Sequence, residues 1–133
     1  MNPPSVQDTN YLMPAEWEPH EATWLAWPHN QDHWPGNFQP IPHVYSEIIR
    51  ALVLSEKVYV CVNDAAMENS ARELLERSNV ALENVRFFQI PTDASWSRDH
   101  GPIFVRDENE NLILQSHGAE RRRKAGTFHI TVR

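Results

Sequence analysis

Lys57-Val58-Tyr59-Val60-Cys61-Val62-Asn63 is a nearly continuous run of β-branched and aromatic residues, side chains that are stiff at χ1 and fit a pleated surface. A run of this length without polar alternation reads as a strand covered on both faces, as in the middle of a parallel sheet. What flanks it decides the fold. Upstream, residues 43–54 carry Val44, Ile48, Ala51 and Leu52 at helical spacing, with Glu47 and Arg50 on other faces, which predicts an amphipathic helix starting soon after Pro42. Downstream, Asp64 can cap a second helix over residues 65–77, whose Met67, Ala71, Leu74 and Leu75 make an apolar stripe. Further out, Thr23-Trp24-Leu25-Ala26-Trp27-Pro28 reads as a short buried strand stopped by proline. Residues 85–90 read as a third strand, after a turn region at 79–84. The order strand, helix, strand, helix, strand implies an α/β domain with largely parallel pairing.

The connecting segments are legible by their breakers. Residues 13–21 hold two prolines and several acids and should form an extended loop. Residues 29–42 hold three prolines and a glycine together with Trp34 and Phe38, which suits an irregular segment that folds back on the body. Residues 101–106 and 111–115 flank the turn Asp107-Glu108-Asn109-Glu110 as a β-hairpin. Residues 118–133 show neither a helical face nor a turn linking Arg121-Arg122-Arg123-Lys124 to Thr127-Phe128-His129-Ile130-Thr131-Val132.

Composition narrows the function classes. At 133 residues, with 41% hydrophobic and 23% charged side chains, the chain suits one soluble globular domain. The formal charge of −6 divides unevenly: residues 1–117 carry −10 and residues 118–133 carry +4. An acidic body disfavours nucleic acid and attracts small cations. The basic run lacks interleaved aromatics and reads as a solvated tail rather than a nucleic-acid or membrane contact. Residues 1–10 are polar, and no apolar run is long enough for a bilayer, so the expected compartment is the cytoplasm. Cys61, the one cysteine, is embedded in an apolar run and reads as a structural thiol rather than a nucleophile. His20, His29, His33 and His43 lack helical ligand spacing, His29 and His33 being four apart but in a Pro-rich loop, and no metal site is expected.

The most chemically dense stretch is Trp96-Ser97-Arg98-Asp99-His100-Gly101-Pro102, expected to be a loop between two strands. Asp99 can form a local ion pair with Arg98 or serve as a turn residue. Alternatively, it can receive a cationic ligand. A guanidinium suits it best, since one carboxylate accepts two parallel N–H bonds while Trp96 offers a flat face to the cation.

With those residues laid out, the chain resembles the N-terminal part of the agmatine deiminase and bacterial-type peptidylarginine deiminase family. The resemblance rests on Met13-Pro14-Ala15-Glu16-Trp17-Glu18-Pro19-His20, on Thr23-Trp24-Leu25-Ala26-Trp27-Pro28-His29-Asn30, and on residues 96–105, and it runs from Tyr11 to Leu114. It implies a pentein-type α/β propeller, of which this chain would supply the first unit and the start of the next. The implied division is a polar leader at 1–10, a propeller part at 11–117 and an atypical basic tail at 118–133. The implied reaction is hydrolysis of agmatine to N-carbamoylputrescine and ammonia, a step of putrescine and polyamine biosynthesis. A cysteine attacks the guanidinium carbon, a histidine moves protons, and carboxylates grip the nitrogens, without metal or organic cofactor.

By motif position Asp99 resembles the family's substrate-gripping aspartate and Trp96 an aromatic of its pocket. The nucleophilic cysteine, the catalytic histidine and a second acid match nothing in this chain, and Cys61 is not at the nucleophile's place. The expected partner is therefore a small guanidinium substrate, agmatine, with no nucleic acid and no membrane. Self-association into a homo-oligomer through strand edges is expected of an incomplete propeller. Where the family continues with a Gly-rich aromatic segment, residues 118–133 differ, as a shifted reading frame or another truncation would produce. Two other functions remain open at this point: a peptidylarginine deiminase-type activity, and a non-catalytic α/β domain that binds a cation or a partner.

Overall fold

The computed structural model describes residues 11–109 and 112–115. The leader at 1–10 and the basic tail at 118–133 lie outside the described residues. The chain divides into two units, residues 15–100 and residues 1–14 with 101–133.

In the first unit three strands, β1 (Ala22–Ala26), β2 (Lys57–Val62) and β3 (Val85–Gln89), form a parallel sheet in the order β1-β2-β3. Thr23 lies beside Val58 and Leu25 beside Val60, while Val58 and Val60 lie beside Val85 and Phe87. The connections are α1 (Ile41–Leu52) and α2 (Ala65–Arg77). With strands in sequence order, two crossovers of the same hand put both helices on one face, and α1 does pack against α2. The core lies beneath them: Ile49, Val58, Val60, Val62, Ala71 and Leu75 are completely buried, the valines, Ile49 and Leu75 each contributing about 1.5–3 kcal/mol on leaving water.

That arrangement corrects the expectation that β2 is covered on both faces. Val58, Val60 and Val62 are buried under the helices, but the alternate residues Tyr59 and Cys61 are only half-buried. On the face free of α1 and α2, Tyr59 packs with Trp24 and Phe88 at centroid separations of 5.0 to 5.3 Å. The aromatics of that face shield one another, which is why the sequence shows no polar alternation.

The two helices differ in how well their faces were legible. In α2 the expected stripe holds: Ala71 and Leu75 are buried, with Met67 and Leu74 packed beside them. Asp64 caps the helix, its Oδ1 accepting the Met67 N–H at 2.8 Å. The other end closes with Asn79 in the left-handed region at φ 54°, the Asn79 N–H donating to the Glu76 carbonyl and the Val80 N–H to the Leu75 carbonyl. Asn substitutes here for the usual glycine. In α1 the expected face is displaced: Val44, Ile48 and Ala51 are exposed, while Ser46 and Ile49 turn inward with Tyr45 and Leu52 beside them. The small Ser46 lets the helix approach the sheet, and its hydroxyl donates to the His43 carbonyl at 2.8 Å, so no polar atom is left unpaired.

In the second unit β4 (Ile103–Arg106) and β5 (Leu112–Gln115) pair antiparallel, as the hairpin reading expects. Leu12 bridges to Arg106 through two 2.8 Å backbone hydrogen bonds.

Candidate functional site

In a parallel sheet the connections leaving the carboxyl ends of the strands gather at one end, where ligands of open α/β proteins are bound. The segments after β1 and β3 meet there in the first unit. Residues 90–96 leave β3 and are held in place at two points: the Thr92 N–H donates to Asn63 Oδ1 at 2.8 Å, and the Tyr45 hydroxyl of α1 donates to the Ser95 carbonyl at 3.4 Å. Burial raises the Tyr45 pKa above its usual value, with the Ser95 contact opposing, so it stays a donor at neutral pH. Ser95 itself is buried.

The dense stretch that follows is not the plain loop expected. It includes one helical turn, α3 (Ser97–His100), opened by the Asp99 N–H donating to the Trp96 carbonyl at 3.0 Å. Trp96 immediately precedes that turn and Asp99 lies within it. Trp96 is 46% exposed, unusual for an indole, and Asp99 is exposed beside it. Arg98 does not pair with Asp99. Its guanidinium donates to Glu16 Oε1 at 2.8 Å, in a pair 87% and 73% exposed. Such a pair is worth at most about 1 kcal/mol, but it directs the Arg98 guanidinium to Glu16 rather than to Asp99. Among the described residues the Asp99 carboxylate has neither an ion-pair nor a hydrogen-bond partner. Of the two readings of Asp99, the local pair with Arg98 is therefore not formed.

The segment after β1 supplies what sequence reasoning missed. A short 3₁₀ turn at Gln31–His33 sets the His33 ring against Trp96, nearly parallel at 4.7 Å and 29°. Trp34 leans on both, 6.0 Å from each, and is backed by Phe38 at 5.8 Å. The inward folding expected of Trp34 and Phe38 holds. His33, weighed only as a metal ligand, belongs instead to this aromatic wall, and the clue was its position just past a strand's carboxyl end beside Trp34. His29 is directed elsewhere, its Nδ1 3.1 Å from the Trp27 carbonyl. Among the described residues no group of three or more His, Cys, Asp or Glu side chains could hold a metal ion. No helix among them is long and apolar enough to cross a membrane.

Cys61 lies in mid-strand, half-buried, and burial pushes its thiol pKa up. That is the reverse of an activated nucleophile. A surface groove of about 530 Å³ lined by Trp27, His29, Phe38, Asp64, Met67 and Arg77 does not include Trp96 or Asp99.

The α/β unit presents an unpaired carboxylate and an open indole past the carboxyl end of a parallel sheet, the end at which open α/β folds bind their ligands. Comparison with known proteins gives the family. The model described as Porphyromonas-type peptidyl-arginine deiminase matches residues 12–125, and the chain belongs to that family. It is 36% identical over 112 residues to the agmatine deiminase of Pseudomonas aeruginosa (strain LESB58), covering 84% of this chain and 29% of that enzyme. It is 38% identical over 95 residues to the agmatine deiminase of Medicago truncatula, covering 71% and 24%.

The solved agmatine deiminase of C. jejuni superimposes with a TM-score of 0.67 at 23% identity, over 83% of this chain and 32% of that one. A substrate-bound variant of it gives 0.65 at 24% identity, over 83% and 30%. These likenesses establish that the α/β unit has the fold of part of those structures. The chain spans less than a third of the length of the relatives it matches.

Proposed function

We propose that this chain forms the guanidinium-gripping part of an agmatine deiminase-type site, on the first unit and the start of the next of a pentein-type propeller. The reaction served is agmatine and water to N-carbamoylputrescine and ammonia. Asp99 accepts paired N–H bonds from the guanidinium, and Trp96 lies along the cation. The observation that carries this reading is the Asp99 carboxylate left without a cation because Arg98 is taken up by Glu16. The chain's acidic character favours the approach of a dication such as agmatine. The curated relatives named above favour agmatine over peptidyl-arginine. Catalysis is assigned to residues that this chain does not contribute, since Cys61 is half-buried in mid-strand and burial pushes its thiol pKa up, away from an activated nucleophile.

The test is calorimetric titration of the full chain with agmatine, with putrescine and with an acetylated, amidated arginine. Agmatine should bind saturably, and putrescine, whose ammonium cannot form the paired bonds, about tenfold more weakly. Equal binding of the two, or binding of neither, overturns the reading. Tighter binding of the arginine derivative would reassign the substrate to peptidyl-arginine. Incubation with agmatine should release no ammonia above background; turnover would reveal a nucleophile that this reading lacks.

A further inference from the structure

The described residues contain four buried side-chain polar atoms without a hydrogen-bond partner: His33 Nδ1, Thr92 Oγ1, Ser95 Oγ and Ser97 Oγ. Three fall within residues 92–97, around Trp96, and the fourth belongs to the ring stacked on Trp96. Buried polar atoms are nearly always satisfied, and exceptions gathered in one place mark a site kept polar for a reason other than stability.

His33 is the member of this group whose geometry says what it does. Asn30 Oδ1 accepts the Asp32 N–H at 3.0 Å, which turns the Asn30 amide nitrogen toward His33 Nε2, 3.4 Å away. An amide nitrogen only donates, so Nε2 accepts that bond, and Nδ1 is the ring atom left buried without a partner. The ring is thereby held from the β1 side, while its flat face covers one face of the Trp96 indole. Trp34 and Phe38 brace the pair from the same segment. Trp96 belongs to an irregular segment and is nearly half exposed, and without that stack few contacts would hold its ring plane.

We infer that His33 is a positioning residue for Trp96: by stacking on one face of the indole, it sets the ring plane at which a flat cation held by Asp99 is received. For its ligand the inference rests on the guanidinium reading above; for the ring arrangement it rests on the geometry alone.

The experiment uses the full chain labelled with 5-fluorotryptophan, with the Trp96 resonance assigned by loss in Trp96→Phe. His33→Ala should shift or broaden that resonance in the absence of ligand and weaken agmatine binding about threefold to fivefold, the size of one aromatic contact to a cation. His33→Phe, which keeps a stacking ring, should hold both within about twofold of the parent, and His33→Gln, polar but ringless, should behave like the alanine variant. The inference is overturned if His33→Ala leaves resonance and affinity in place, or if His33→Phe is as impaired as His33→Ala. If His33→Ala does not fold by circular dichroism, the contrast between the Phe and Gln variants decides. If the parent binds no agmatine, the guanidinium reading fails by itself and the ligand-free resonances still decide the role of His33.

Discussion

The two ends of the parallel sheet are finished differently. At the amino ends of β1 and β2, Glu56 Oε2 accepts the Thr23 hydroxyl at 2.7 Å and meets His20 Nε2 at 2.6 Å, while His20 Nδ1 lies 3.0 Å from the Glu18 carbonyl. Nearby, the Asn84 amide donates to the Val53 carbonyl that ends α1. Each side chain named in that network makes at least one hydrogen bond. At the carboxyl ends, all four unpartnered buried atoms of the described residues collect, together with an exposed indole and an unpaired carboxylate. The amino end is built for stability. The carboxyl end leaves those groups without protein partners, which costs stability, and on the guanidinium reading it is the end that binds.

That contrast can be broken at three places. The largest effect is expected at Asp99→Asn, which removes the charge that pairs with a guanidinium: agmatine affinity should fall by at least about tenfold, corresponding to the roughly 1.5–3 kcal/mol of hydrogen bonds to a charged group. Urea unfolding should show stability unchanged within about 0.5 kcal/mol, because an exposed residue without partners is lost. A large loss of stability with affinity intact would make Asp99 a structural residue.

Glu56→Ala should act the other way round, lowering stability by about 1–2 kcal/mol through the stranded Thr23 hydroxyl, with agmatine binding unaffected. The same variant weakens a pH dependence. The Glu18 carbonyl, and then Glu56, raise the His20 pKa above its usual 6.5. A raised histidine pKa stabilises the fold fully below pH 6.5, and the contribution is lost as pH rises through the folded-state value. His20 is 47% exposed, so solvent screening limits this to a few tenths of a kcal/mol. Unfolding midpoints measured between pH 5.5 and 8 should drift downward in the parent and less steeply in the variant, which keeps the Glu18 carbonyl contact. An upward drift would mean that the imidazole is not held in its charged form.

The smallest change belongs to Ser95→Ala. Deleting a buried hydroxyl with no partner should leave stability the same or raise it by up to about 0.5 kcal/mol, since Tyr45 bonds to the backbone carbonyl of residue 95 and keeps its contact. A loss of more than about 1 kcal/mol in thermal unfolding would show that the hydroxyl is satisfied, and the contrast between the two ends would weaken.

The legible and illegible features separate along physical lines. Asp64 as a cap, the stripe of α2, the three strand segments and the hairpin could all be read from neighbours a few positions apart, because capping and periodicity act over one or two turns. The inward face of α1 was misread because apolar residues cover more than one row of that helix, and the choice between rows fell to Ser46, whose small size allows close approach. The second face of β2 was misread because three aromatics from three strands conceal one another. At the candidate site, Trp96 and Asp99 stood out by chemical density alone. His33, 63 positions before Trp96, did not.

Local chemistry was therefore enough to define an α/β unit, the order of its strands and main helices, and the two residues proposed to hold a guanidinium. Those properties follow from side-chain shape, spacing and charge within short stretches. Packing alone decided that Arg98 would turn to Glu16 and leave Asp99 open, that both helices would share one face, and that the ring of His33 would lie on Trp96. These outcomes depend on which segments the parallel sheet brings to its carboxyl end, and strand order places residues from distant stretches side by side there.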